Sequence, residues 1–228
     1  MTSFTLKILA AIFMIMDHTG DAILGRFSIL NLFGRLAFPI FAYQLVQGYI
    51  YTKNKKKHLL KLLLFAIISE IPFKLFLSTF TNEKYINVLF TFFLATLVIY
   101  ICEKVSNKYL KIIVIVITSI ISQLLKADYG VFGIILVYTF YYFETKNIKN
   151  KKMKLGIITF LLCNLKWIQK MFENPSVINT YLMCGIFTSL SIFFINAYNQ
   201  KEGPKLKFFF YILYPLHMLI LYFIHNNI

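Results

Sequence analysis

Apolar segments about as long as a bilayer is thick recur along almost the whole chain, each ended by a short polar break. A spanning helix needs ~20 mostly apolar residues. Segments near that length lie at 5–24, 33–52, 59–80, 86–102, 109–125, 130–145, 154–171, 180–198 and 206–225. Mean hydropathy is +0.70, and 59% of residues are hydrophobic against 14% charged, a mix that excludes an ordinary soluble domain. The expected fold is an all-α integral membrane protein. It is read as a single polytopic bundle of about nine transmembrane helices, some broken at proline, forming one domain over 1–228. The run after Lys7 is interrupted at Asp17-His18 with no small-residue cleavage pattern behind it, so the first segment is expected to be retained. Cys102, Cys163 and Cys184 lie in or beside apolar stretches without paired spacing. That predicts small core residues, and neither disulfides nor a metal site.

A net charge of +15 suggests nucleic acid until its distribution is read. Lys53, Lys55, Lys56, Lys57 and Lys61 follow the second segment, and Lys104, Lys108 and Lys111 the fourth. Lys146, Lys149, Lys151, Lys152 and Lys154 follow the sixth, and Lys201, Lys205 and Lys207 the eighth. Sixteen of the 24 basic residues thus fall after even-numbered segments, while the odd loops hold little more than Arg26, Lys84, Lys126 and Lys170. Basic loops stay on the cytoplasmic side. The N-terminus and even loops are therefore expected in the cytoplasm, and with nine spans the C-terminus lies outside. The lysines belong to headgroups of the lipid bilayer, and no nucleic-acid partner is expected. Lys/Asn/Ile/Phe-rich usage points to an AT-rich bacterial genome, hence a multi-pass protein of the bacterial inner (cytoplasmic) membrane.

Ionisable groups inside spans cost several kcal/mol each and mark function or buried pairing. The first span carries Lys7, Asp17, His18 and Asp21. Lys7 and His18 stand eleven residues apart, which puts them on one helix face ~16 Å apart along the axis. Given the topology, Asp17, His18, Asp21, Arg35, Glu70, Asn87, Asp128, Tyr129, Tyr214 and His217 all fall between the midplane and the outer surface, with Lys7 alone at the inner end. Pro72 and Pro215 interrupt spans within three residues of Glu70 and His217, and the carbonyls they free need protein or water nearby. A shared cavity is the reading favoured here. His18, beside a carboxylate at Asp17 or Asp21, has the composition of an oriented general base. The competing structural readings are an Arg35 ion pair with Glu70 or Asp128 and a plain His18–Asp21 hydrogen bond. His58 and His225 are expected to be solvated, and Trp167 carries no evident role.

Six strings carry a resemblance in order along the chain: Met16-Asp17-His18, Gly34 to Ala42, Ser69-Glu70-Ile71-Pro72-Phe73, Asn87 to Thr91, Asp128-Tyr129-Gly130 and Tyr214-Pro215-Leu216-His217. They resemble the TraX family of membrane proteins, associated with N-terminal acetylation of pilin. The resemblance implies an acetyl-CoA-dependent acyltransferase needing no metal. Lys7 and His18 are also similar to the basic-x10-His pattern of larger membrane acyltransferases that modify surface sugars, with Lys in place of the commoner Arg. By that likeness Lys7 contacts CoA phosphate from the cytoplasm and His18 acts at the thioester. Asp17 and Asp21 would orient His18, with Arg35, Tyr214 and His217 on the donor. Glu70, Asn87, Asp128 and Tyr129 would lie towards the acceptor. That acceptor is an amine or hydroxyl of a peptide, a pilin-like protein or a glycan on the extracytoplasmic side. Two other classes compete: a proton-coupled transporter, and a non-catalytic assembly protein whose polar residues only hold helices together.

Overall fold

The computed structural model describes residues 1–25, 28–146, 148–173, 175–204 and 208–228, so Arg26, Lys205 and Lys207 of the charge pattern lie outside the described residues. In chain order the helices are α1 (Ser3–Thr19), α2 (Ile29–Gly34), α3 (Ala37–Tyr51), α4 (Lys55–Leu77), α5 (Val88–Lys104), α6 (Lys108–Leu124), α7 (Gly130–Thr145), α8 (Lys151–Glu173), α9 (Ile178–Asn196) and α10 (Phe209–His225). Among the described residues there is no strand, only an isolated bridge between Ile86 and Ala127.

Side-chain caps set several of these starts. Asn54, Asn87 and Asn107 accept the backbone N–H of Lys57, Leu89 and Tyr109 at 2.9, 3.0 and 2.8 Å. Each satisfies a donor that the first helical turn leaves unpaired. The second expected segment divides into α2 and α3. Pro39 stands in the first turn of α3, where its missing N–H is harmless, but in a continuous helix its ring would meet the carbonyl of Arg35. The chain therefore turns at Arg35-Leu36. At the far end of α1 one wider π turn, Gly20–Leu24, carries the chain to Gly25 at φ 85°.

Three stretches are long and apolar enough to cross a membrane by length and composition, Ile29–Tyr51, Lys151–Phe172 and Pro175–Asn196. Along α6, Ile112, Ile113, Val116, Ile117 and Ile120 are about half exposed, an apolar face that suits lipid. The apolar helices make this a membrane-associated protein. Its dry core gathers around Leu6, Ala10, Ile40, Val46, Val98, Ile134, Phe140 and Met218, all fully buried.

Polar ties define one end of the bundle. Glu103 accepts from the hydroxyls of Tyr49 and Tyr141 at 2.6 and 2.9 Å. Glu144 pairs with Lys151 at 2.8 Å and accepts from Tyr43 at 3.1 Å. The Met1 amine donates to the Ala197 carbonyl at 2.6 Å, and the amide of Ser3 to Lys201 O at 2.8 Å. The N-terminus and the lysine-rich loops thus share one end. Opposite it, the amide of Asp128 donates to Ile86 O at 3.0 Å and joins two lysine-poor loops.

Candidate functional site

A cavity of about 910 Å³ runs through the bundle. Along α1 it is lined by Lys7, Ala11, Met14 and His18, and along α3 by Phe38, Phe41, Gln44 and Gly48. Both series step by three or four residues, the spacing of one helical face. Lys7 and His18 therefore do share a face, and that face is a cavity wall.

The His18 ring lines this wall, half-buried, with Nδ1 2.6 Å from Nε2 of His217 and the two rings within 5° of parallel. His217 Nδ1 in turn lies 2.7 Å from the Leu213 carbonyl. A carbonyl only accepts, so His217 Nδ1 carries the hydrogen and its Nε2 is the lone pair. His18 Nδ1 must then donate to that lone pair, and His18 Nε2 is left unprotonated without a partner among the described residues. Sequence reasoning expected Asp17 or Asp21 to orient His18; the structure assigns that place to His217, brought from α10. His217 was expected on the donor. It does not line the cavity, because both its nitrogens are committed behind His18.

Asp17 is instead held by Arg35 at 2.9 Å and by Asn31 Nδ2 at 3.1 Å, and that same amide reaches Asp21 Oδ1 at 3.0 Å. The Arg35 partner is thus Asp17, neither Glu70 nor Asp128. Gly34 makes this possible: a Cβ there would fall 2.2 Å from Asp17 Cβ, so only glycine lets α2 approach α1 this closely. Glu70 and Asn87 do not line the cavity. Asn87 donates to Glu70 Oε2 at 2.7 Å and to the Ala66 carbonyl at 2.8 Å, and Lys74 reaches Glu70 at 3.3 Å. They lock α4 to the start of α5, a helix-joining task that explains their place better than contact with a substrate.

Asp128 and Tyr129 do line the cavity, as does Tyr214. Tyr129 holds a left-handed φ of 62°, a strained conformation for a non-glycine residue. Its ring stacks on Phe38 at 3.6 Å, and the ammonium of Lys166 stands 3.4 Å from its centroid. In the loop before α7, burial raises the Asp128 carboxyl above the usual carboxylate range while Lys166 works against it. Arg35 and Tyr214 sit towards this end, away from Lys7, so of the residues expected on the donor only Lys7 occupies the lysine-loop end.

A family model described as TraX protein matches residues 3–225. The chain belongs to the TraX family. It is 30% identical over 237 residues to the probable fimbrial assembly protein FimC, serogroup H1, of Dichelobacter nodosus, covering 96% of this chain and 94% of that protein. No solved structure matches it.

The lining of this TraX protein's cavity includes residues to which sequence reasoning gave no part in the site. Lys166 and Trp167 come from α8, Gln44 from α3 and His58 from the start of α4. Gln44 is 4% exposed. Its Oε1 accepts from Ser3 Oγ at 2.6 Å, while its Nε2 is buried without a partner among the described residues. His58, expected in solvent, is half-buried with Nε2 also unpartnered. His225 is exposed, yet its Nδ1 meets the Ala22 carbonyl at 2.6 Å. A signal for Lys166 was present: an ionisable residue inside an apolar span, the same sign that drew attention to the first helix. The three cysteines are free and buried, in keeping with their reading as core residues.

Proposed function

We propose that this TraX-family chain is a membrane acyltransferase. It moves an acetyl group from cytoplasmic acetyl-CoA to an amine or hydroxyl at the extracytoplasmic side. The long helices are read as nine spans of the bacterial inner membrane, with the N-terminus in the cytoplasm. The observation that carries the proposal is the unprotonated Nε2 of His18, fixed by His217 and the Leu213 carbonyl and reached through a cavity that begins at Lys7.

In this reading the donor's phosphates lie at Lys7 beneath the basic loops, and the ~16 Å from Lys7 to His18 matches the reach of a pantetheine arm. His18 Nε2 takes the proton of the acceptor as its oxygen or nitrogen attacks the thioester carbonyl. Collapse of the tetrahedral species breaks the carbon–sulfur bond, and the imidazolium returns its proton to the leaving thiolate, giving free CoA and an acetylated acceptor. The hydrogen bond from His18 Nδ1 to His217 holds the ring in place as positive charge develops.

The relative's name favours a second reading, a non-catalytic part in fimbrial assembly. That version needs only helix-to-helix contacts, so the open cavity is unexplained by it. A transporter would also use a passage joining both ends of the bundle. Thiol release from acetyl-CoA by purified protein separates the three. Release that disappears in His18→Ala supports the transferase. A folded wild-type protein that neither binds nor turns over acetyl-CoA overturns it.

A further inference from the structure

At the end of the cavity opposite Lys7, Lys166 is a cation with no ion pair among the described residues. Arg35 is matched by Asp17 at 2.9 Å. Lys166 lines the same cavity, and among the described residues no carboxylate comes within ion-pair distance of it. Its contacts are aromatic: its ammonium lies 3.4 Å from the Tyr129 centroid and 5.4 Å from that of Trp167. The Arg35 guanidinium is also 5.4 Å from the Trp167 ring, which brings two cations to one indole. That indole is fixed, its Nε1 donating to Thr188 Oγ1 at 3.0 Å. Like charges placed side by side around a rigid ring favour an anion in the space they face. An ammonium has three donors, and a ring face uses only one direction.

Asp128 is the acidic group on the facing loop, and Arg35 Nε at this end is a buried donor without a partner among the described residues. Lys126 and Lys170 belong to the same end of the cavity lining. Against Arg35, Lys126, Lys166 and Lys170 the lining sets Asp17, Asp21 and Asp128, so the charge there is positive by one.

We propose that Lys166 anchors an anion subsite at the end of the cavity opposite Lys7, so that the acceptor presented to His18 carries a phosphate or carboxylate. Its role as acceptor subsite rests on the transferase reading; the anion subsite itself does not. An acceptor bound by its charge at Lys166 places its own hydroxyl or amine towards His18, and a neutral analogue of the same size lacks that hold.

Glycerol phosphate serves as the probe, titrated against full-length protein in maltoside detergent and followed by the width of its 31P line. Wild type and Lys166→Arg should broaden the line. Lys166→Gln should need at least tenfold more protein for the same effect, while Lys149→Gln, an exposed loop lysine, should match wild type. Broadening that persists unchanged in a monodisperse Lys166→Gln sample overturns the subsite, as does a wild type that gives none. Broadening without any thiol release from acetyl-CoA keeps the anion subsite and removes the transferase. Nanodiscs identify the source: phosphatidylglycerol that suppresses the broadening points to a lipid headgroup. Broadening that survives in phosphatidylglycerol and phosphatidylcholine alike points to a soluble anion.

Discussion

At the end of the cavity beneath the lysine-rich loops, Lys7 has no ion pair among the described residues, and Nε2 of Gln44 and of His58 is buried unpartnered. At the other end Asp17 receives Arg35 and Asn31, Asp21 receives Asn31, and His18 is tied through His217 to a carbonyl. A buried donor without a partner costs about 1–3 kcal/mol, a cost that a bound acceptor oxygen removes. Those links hold one geometry, and beside them Arg35 Nε and Lys166 are left to the proposed anion subsite. The difference separates a mouth that waits for an anionic molecule from a pre-arranged region where chemistry requires fixed orientation.

The largest effect should come from the fixed region. His18→Ala removes the imidazole nitrogen proposed as the base, and acetyl transfer should fall by about 10²–10⁴, the span of general acid–base catalysis. Detergent elution and helicity should stay at wild-type values, since the His18 ring faces the cavity. Retention of full turnover would sink the catalytic assignment.

Next is the brace that holds this geometry. Arg35→Leu strands Asp17 without its cation, and breaking a buried pair by removing one partner costs about 3–5 kcal/mol. Adding Asp17→Asn should return much of that loss, because the stranded charge disappears. Thermal unfolding of both variants in one detergent measures it. A single variant as stable as wild type would show that Asn31 alone positions α2.

How far the site could be read from sequence follows from the range of each interaction. The helices Val88–Lys104 and Lys108–Leu124 were legible to within two residues because an apolar run is a local signal. So was the common face of Lys7 and His18, since helical periodicity is local. The link from His18 to His217 spans 199 residues, and pairing at that separation is set by the packing of α1 against α10, which no local pattern encodes. The same limit produced the wrong partner for Arg35. The expected depths grouped Arg35 with Glu70 and Asp128 but could not tell that Gly34 lets Asp17 reach Arg35. His58 was misjudged because four lysines around it in sequence mark a loop, whereas its ring faces inward edge-on to Tyr49, with centroids 6.2 Å apart.

His217→Ala tests whether orientation matters as much as basicity. Without it His18 Nδ1 loses its acceptor, and the ring is free to place its hydrogen on either nitrogen. Turnover should drop by about 10², at the lower end of the acid–base range, while His18→Ala combined with His217→Ala should be no worse than His18→Ala alone. Two residues acting through one nitrogen give such non-additive losses. Fully additive losses would mean that His217 serves the reaction independently.

The smallest effects belong to the waiting end, and their kind matters more than their size. Lys7→Ala should raise the KM for acetyl-CoA about tenfold with little change in kcat, because a contact made equally in ground and transition states alters binding alone. Gln44→Leu replaces an amide whose Nε2 has no partner among the described residues and keeps most of the side-chain volume. In the absence of donor it should be neutral or slightly stabilising, apart from the lost Ser3 contact. With donor present it should weaken binding by a factor of several, since a hydrogen bond to a charged group is worth about 1.5–3 kcal/mol, reduced by whatever water replaces it. That pairing of a free protein no less stable and a bound complex less stable is the signature of a site held open for its ligand. If Gln44→Leu destabilised the free protein as strongly as Arg35→Leu does, the two ends of the cavity would be built alike. The distinction between a waiting mouth and a fixed centre would then fail.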